Sequence, residues 1–287
     1  MENIYERKDA VENYGLSREI PEGILKSYAD QIAEKCNPER ILDAGFGTGT
    51  VLVPLVESLE GKVVGIDASK EMVKKVRNTL NDDSVDLIQG DLHDAHNLIG
   101  SKVDAVHLKA VTHIPTDPKK FLLSTLDALE VGGYFVIGKE YSQPEDNLES
   151  IGKYGNSGEI FNAEFSDFYK EYFDERSKLG IPFKVPEMPA GDFDPAVDFL
   201  VGNGYECVGK IRTDEWSKAV TFSEVIKAME LGTFSVFHRG VSEDQSRHLV
   251  QHMKEYCDKK GLDLDVEMEF PARLDASILR KVSGGEK

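Results

Sequence analysis

The 287-residue chain alternates two kinds of apolar pattern. Short, nearly continuous apolar runs fall at 40–44, 62–66, 85–89, 103–108 and 134–138. Between them, apolar residues recur at helical spacing over 48–59, 69–80 and 117–129. A further helix is predicted over 21–35, where Ile24, Leu25, Tyr28 and Ile32 share a face, and it ends near Cys36-Asn37-Pro38. Strands apolar on both sides must be covered on both sides. The alternation therefore predicts an α/β fold with a doubly wound, largely parallel sheet.

From Tyr141 to Pro195 the rhythm breaks. This stretch is rich in Gly, Pro and acids, yet carries Phe161, Phe165, Phe168, Tyr169, Tyr172, Phe173 and Phe183, and 163–178 can form an aromatic-faced helix. Two readings stay open: a lid over a substrate, or a solvated insertion whose aromatics dock it on the core. Beyond it, helices are predicted at 196–201, 222–231 and 242–259. Strands are predicted at 205–211 and, in interrupted form, at 266–270 with 276–279. The chain thus divides into an N-terminal helical segment (1–40), a core (41–141), an insertion (142–195) and a C-terminal completion of the core (196–287).

The core opens on Ile41-Leu42-Asp43-Ala44-Gly45-Phe46-Gly47-Thr48-Gly49-Thr50, an apolar run, an acid and three glycines at alternate positions. This reads as a buried strand turning sharply into a helix. Glycine permits positive φ and lets a ligand approach the main chain, and the N–H groups and positive dipole end of the following helix face that ligand. Dinucleotides and S-adenosylmethionine both use such a turn. The dinucleotide pattern G-x-G-x-x-G/A is met imperfectly, because Thr50 fills its last position, and no Gly-Lys-Ser/Thr follows to make a Walker loop. An acid before the first glycine repels a pyrophosphate and suits an ammonium or sulfonium. Asp67 closes the second strand, where a carboxylate can accept both ribose hydroxyls, and Asp91 follows the third, where it can meet an adenine amino group with Leu92 against the ring. Each acid alone could simply cap the next helix. Three at the ends of neighbouring strands point to an adenosine-bearing ligand.

Composition narrows the partners. The chain carries 34 basic and 52 acidic residues, a formal charge of −18. That acidity opposes a phosphate backbone and speaks against nucleic acid. No stretch has the apolar length of a membrane span, and the N-terminus shows no secretory pattern. Three distant cysteines fit neither a disulfide framework nor a zinc cluster and suit a reducing cytoplasm. His93, His96 and His107 lack metal-ligand spacing, so no metal site is expected.

Over 41–141 the residues resemble the class I S-adenosylmethionine-dependent methyltransferases. LDAGFGTG resembles the family's first motif, VVGIDASKEMV its second, LIQGDLHD its third, VDAVHLKAVTHI the active-site floor, and LEVGGYFVIGKE the L-x-x-G-G turn with the fifth strand. The resemblance implies a Rossmann-like seven-stranded sheet, six strands parallel and one antiparallel, with the N-terminal segment covering the cofactor. It implies that Asp43, Gly45, Gly47 and Gly49 surround the methionyl part and that Asp67 holds the ribose. Ala68 and Met72 would then flank the adenosine, Asp91 and Leu92 hold the adenine, and the backbone at Lys109 approaches the sulfonium.

Methyl transfer to a small organic acceptor is the activity this implies. The alternatives are a non-methylating enzyme that holds the same cofactor, a non-catalytic binding protein, and an NAD-dependent oxidoreductase, which Asp43 and Thr50 disfavour. His113, just past the fourth strand, is the candidate general base, because histidine titrates near neutrality. The insertion's aromatics suggest a closed pocket for a small molecule, and its 12 acidic and 5 basic residues over 145–194 fit a cationic or amine-bearing acceptor or plain surface acidity, so O, N and C acceptors all stay open.

Overall fold

The computed structural model describes residues 7–15, 18–80, 85–112, 117–141, 163–181, 195–233, 237 and 240–281. In chain order its elements begin with α1 (Lys8–Glu12), α2 (Glu22–Cys36), β1 (Arg40–Ala44), α3 (Leu52–Ser58), β2 (Lys62–Asp67), α4 (Lys70–Thr79) and β3 (Val85–Gln89). After a 3-10 turn at Leu92–Asp94 come α5 (Ala95–Leu98), β4 (Val103–Lys109), α6 (Pro118–Ala128) and β5 (Leu129–Tyr141). The remainder comprises α7 (Ala163–Lys178), α8 (Pro195–Gly202), β6 (Tyr205–Arg212), β7 (Trp216–Val220), α9 (Phe222–Leu231), α10 (Glu243–Lys260) and β8 (Met268–Lys281). Two compact units result: one of residues 21–140, 186–214 and 273–287, the other of 1–20, 141–185 and 215–272.

The larger unit is built on strands in the order β3-β2-β1-β4-β5-β8-β6. β3, β2, β1, β4 and β5 pair in parallel, and β8 runs antiparallel to β6. This is the mixed, mostly parallel sheet that the apolar runs predict. Ile41, Leu42, Val63, Val64, Ile66, Val103, Ala105, Val106 and Leu108 are fully buried, as strands covered on both faces require. Helices are set by local capping: Ser69 Oγ accepts from Met72 N at 3.1 Å to start α4, and Asp117 caps α6, with Pro118 in its first turn. The chain order reverses between β1 and β4. Ligands of such sheets bind at this switch point, beyond the carboxyl ends of the strands.

Four elements differ from the sequence expectation. α3 has seven residues rather than twelve, because Gly45, Gly47 and Gly49 adopt φ of +79°, +57° and +83° and keep the chain out of the helix until Leu52. β5 starts at Leu129 rather than at Tyr134, since pairing with β4 resumes at Val103↔Leu129 across an irregularity. β8 is continuous over Met268–Lys281 where a strand interrupted between 270 and 276 was expected. Pro271 stands opposite Ser217 of the unexpected strand β7, whose buried Lys218 hides the apolar alternation.

The smaller unit has an aromatic core. Phe165, Phe168 and Tyr172 of α7 are buried with Phe222 of α9, Phe237, and Met253 and Cys257 of α10. The Phe165 and Phe222 rings stack at 4.6 Å. The aromatic face predicted over 163–178 is therefore used inside this unit, while 142–162 and 182–194 of the expected insertion lie outside the described residues. Both α9 and α10 start with capping boxes, Thr221 with Glu224 and Ser242 with Gln245.

On the outer side of the α7–α10 contact, His248 Nε2 lies 2.8 Å from Glu175 Oε1 and His252 Nε2 lies 2.8 Å from Glu171 Oε1. His248, Lys178 and His252 hold the Glu175 carboxyl well below the usual carboxylate range, at about 2. A carboxyl lowered in the folded state stabilises it fully above its ordinary value of 4.5, and that contribution is lost as pH falls toward 2. We expect denaturation midpoints measured at pH 7, 4 and 3 to fall more steeply for the wild type than for Glu175→Gln, which starts lower at pH 7.

Candidate active site

The carboxyl end of β1 turns into the glycine loop, and the loop is held by backbone hydrogen bonds rather than by side chains of its own. Gly45 N–H donates to Ile66 O at 2.8 Å and Gly49 N–H to Phe46 O at 3.0 Å. Gly47 N–H donates to Asp67 Oδ2 at 2.8 Å. A Cβ on Gly45 would stand 2.5 Å from Val111 Cγ2, and one on Gly49 2.9 Å from Val76 Cγ2, so both positions exclude larger residues sterically as well as by φ. The second oxygen of Asp67 accepts from Ser69 N at 2.8 Å. One carboxylate at the end of β2 thus ties the β1 turn to the start of α4.

These bonds decide what the turn can hold. Glycine loops that bind phosphates present their N–H groups to the ligand. Here all three glycine N–H groups donate within the protein. The donor set suits an adenosine ligand without a pyrophosphate better than a dinucleotide.

Asp43 is 3% exposed, and its Oδ1 lies 2.8 Å from His107 Nδ1 on the adjacent strand β4. Tyr28 Oη of α2 lies 3.2 Å from the other ring nitrogen of His107. Sequence reasoning passed over Tyr28 and His107. The signal was present in VDAVHLKAV, because a histidine inside an apolar strand requires a buried polar partner.

Asp91 caps the 3-10 turn after β3. Its Oδ1 accepts from His93 N at 2.9 Å and lies 2.6 Å from His93 Nδ1, while the side chain stays 70% exposed. Burial alone would raise the Asp91 carboxyl, but the hydrogen bonds and charge of His93, with Lys120, outweigh it and hold the carboxyl below its ordinary value. Leu92 is buried in the same core cluster as Ala44, Ile66 and Val111. Ala68 is exposed in the bend after Asp67, and Met72 is buried on the first turn of α4. Lys109 ends β4, and the next residue, Ala110, has φ +54°, a left-handed conformation that costs a non-glycine residue about 1 kcal/mol. The structure therefore places Asp43, Asp67 and Asp91 at the carboxyl ends of β1, β2 and the neighbouring β3, and ties Asp67 directly to Gly47. His113 lies outside the described residues. Among the described residues, no group of three or more His, Cys, Asp or Glu side chains gathers as metal ligands.

A cleft of about 450 Å³ lies along the β3 edge of the sheet, between Arg40, Arg77, Leu80 and Val85. Its arginines donate to the carbonyls of Ile99 and Leu87, so it is a structural crevice away from the glycine turn.

Residues 41–133 match the family described as "Methyltransferase domain". The match covers about a third of the chain. It includes the glycine turn, the three strand-end carboxylates and His107. An uncharacterized 37.1 kDa protein in transposon Tn4556 of Streptomyces fradiae is 36% identical over 104 residues, which are 35% of this chain and 30% of that protein's length. The YcgJ protein of Bacillus subtilis is 16% identical over 91% of this chain and 99% of its own, with a TM-score of 0.48. The glycopeptide N-methyltransferase MtfA, solved with S-adenosyl-L-methionine, is 20% identical over 42% of this chain and 55% of its own, with a TM-score of 0.36.

Replacing Asp67 by Ala leaves Gly47 N–H and Ser69 N–H without their acceptor. We expect a loss of about 2 kcal/mol in chemical denaturation, the scale of a part-buried unpaired donor, together with weakened cofactor binding by calorimetry. Ala110→Gly is expected to be neutral or stabilising by up to about 1 kcal/mol in the same assay.

Proposed function

We propose that the chain is an S-adenosylmethionine-dependent methyltransferase acting on a small organic acceptor. The observation that carries this reading is the glycine turn. Its three glycine N–H groups are engaged within the protein, and carboxylates close the strands beside it. A ligand with a cationic sulfur and a ribose matches that set, and a pyrophosphate does not.

In this reading Gly45, Gly47 and Gly49 leave room for the methionyl part beside the buried charge of Asp43. Asp67 keeps its carboxylate in place through Gly47 and Ser69 and accepts the ribose hydroxyls with its remaining lone pairs. Ala68, Met72, Asp91 and Leu92 border the adenosine, and the backbone at Lys109 and Ala110 faces the reacting end. When bound, the cofactor supplies a methyl carbon already activated by positive sulfur. The chain's own task is alignment of the acceptor for in-line attack and exclusion of water. His113, four residues beyond β4 in sequence, is assigned as the base that takes a proton from an acceptor unable to lose it unaided.

A small, amine-bearing acceptor is favoured by the acidic, aromatic-rich stretch over 145–194. The formal charge of −18 speaks against a nucleic-acid substrate. No helix among the described residues is long and apolar enough to cross a membrane. The three dispersed cysteines suit a reducing, cytoplasmic setting.

Calorimetry with S-adenosylmethionine, S-adenosylhomocysteine and NAD tests the cofactor, and the first two are expected to bind. Binding of NAD alone would overturn the reading. A metabolite screen with methyl-labelled cofactor is expected to label an amine. Tight binding with no labelled acceptor would favour a binding protein or a different reaction on the same cofactor. With an acceptor in hand, His113→Ala is expected to lower turnover by about 100-fold or more at neutral pH, the scale of a lost general base, and near-normal turnover would remove His113 from the mechanism.

A further inference from the structure

His93 stands between the end of β3 and the start of α6. The strand end itself is fixed in register: Asp67 pairs with Gln89, and Gly90 N–H donates to Asp67 O at 3.0 Å. One residue further, Asp91 gives the protein only one of its carboxylate oxygens. Oδ1 accepts from His93 N at 2.9 Å and lies 2.6 Å from His93 Nδ1. Among the described residues Oδ2 has no hydrogen-bond partner, and the side chain is 70% exposed. Leu92, the next residue, is buried, with its Cδ1 3.4 Å from where a Cβ on Gly45 would stand. The open oxygen thus belongs to the residue just before a side chain that borders the glycine turn.

The ring of His93 is placed to hold that carboxylate still. Its side chain is 15% exposed, and its other nitrogen, Nε2, lies 3.1 Å from the carbonyl oxygen of Asp117, the residue that caps α6. The imidazole therefore bridges the start of α6 and the Asp91 carboxylate. A second contact, His96 Nδ1 to Ser124 Oγ at 3.2 Å, ties the same segment to α6 independently. An exposed carboxylate without such a contact samples several rotamers, and a binding group held in one of them is preorganised. Burial raises the Asp91 carboxyl, but the hydrogen bonds from His93, with Lys120 nearby, outweigh it and hold the group below its ordinary value.

We propose that His93 is a positioning residue: it immobilises Asp91 so that Oδ2 stays an acceptor for the exocyclic amino group of the adenine, and the site thereby prefers the aminopurine to its deaminated, oxo-bearing counterpart. The proposal rests on the cofactor reading above. An oxo base presents a carbonyl to the same oxygen, so two acceptors face each other and neither is satisfied. A mobile carboxylate turns away from that clash at little cost. One held through Oδ1 does not.

Two variants separate the two ends of the ring. His93→Asn carries its amide where Nδ1 stands and keeps a donor toward Asp91, while His93→Gln carries it one carbon further, where Nε2 stands, and keeps only the reach to Asp117 O. The backbone bond from residue 93 to Asp91 Oδ1 is common to both. Calorimetry with S-adenosylhomocysteine and its deaminated analogue S-inosylhomocysteine is expected to show the wild type preferring the first. His93→Asn is expected to keep that preference to within about twofold, and His93→Gln to lose on the order of tenfold of it, the scale of a hydrogen bond to a charged group. Equal loss in both variants, loss in His93→Asn alone, or loss in neither overturns the proposal, as does a wild type that binds the two ligands alike. Carbon-13 NMR of ligand-free protein, labelled on its aspartate carboxyls and assigned with Asp91→Asn, gives a readout that needs no ligand. The Asp91 carboxyl is expected to titrate below the ordinary aspartate range in the wild type and in His93→Asn, and to move up in His93→Gln. An unchanged midpoint in His93→Gln overturns the hold on Asp91. If folded wild type binds neither ligand, the cofactor reading and the base preference fall together, and the carboxyl titration alone decides whether His93 holds Asp91.

Discussion

A chain that ends a buried strand with left-handed residues at alternate positions has little local preference for that shape. Each glycine loses more conformational freedom on ordering than any other residue would. The turn after β1 therefore depends on bonds from outside itself, and the carboxylate of Asp67 is the chief of them. It reaches from the end of β2 to Gly47 on one side and Ser69 on the other. Ser69 in turn caps α4, and α4 carries Val76 against Gly49. Strand, turn and helix are fixed together by one acidic side chain at the end of β2.

Below that turn the polar chemistry continues into the core. Asp43, His107 and Tyr28 come from β1, β4 and α2, and each satisfies the next. Buried polar chains of this kind are stable only when every member is paired, and they constrain the elements that carry them to one register. The two carboxylates nearest the glycines are thus held differently: Asp67 by backbone N–H groups at the rim, Asp43 by the His107 ring in the interior.

The sheet was legible in the sequence because its strands are apolar on both faces, and the apolar runs at 41–44, 63–66 and 103–108 are buried almost throughout. The acids at the strand ends were legible because little else puts Asp after each of three such runs. The hidden parts were those where side-chain chemistry contradicts the pattern. Lys218 is buried in β7, Pro271 sits inside β8, and the glycines delay α3. His107 was visible as a residue and invisible as a partner, since its meaning lies in Asp43 and Tyr28, 64 and 79 positions away in sequence. Asp91 caps the turn after β3, the structural alternative that the sequence already offered for each strand-end acid.

The internal bonding of the glycine turn also bears on the timing of ligand capture. A loop whose donors wait for a phosphate is completed by its ligand and pays an ordering entropy on each encounter. Here Ile66, Asp67 and Phe46 have already accepted the three glycine N–H groups. The turn's shape is therefore set by bonds within the protein, and its glycine donors need no ligand to complete them.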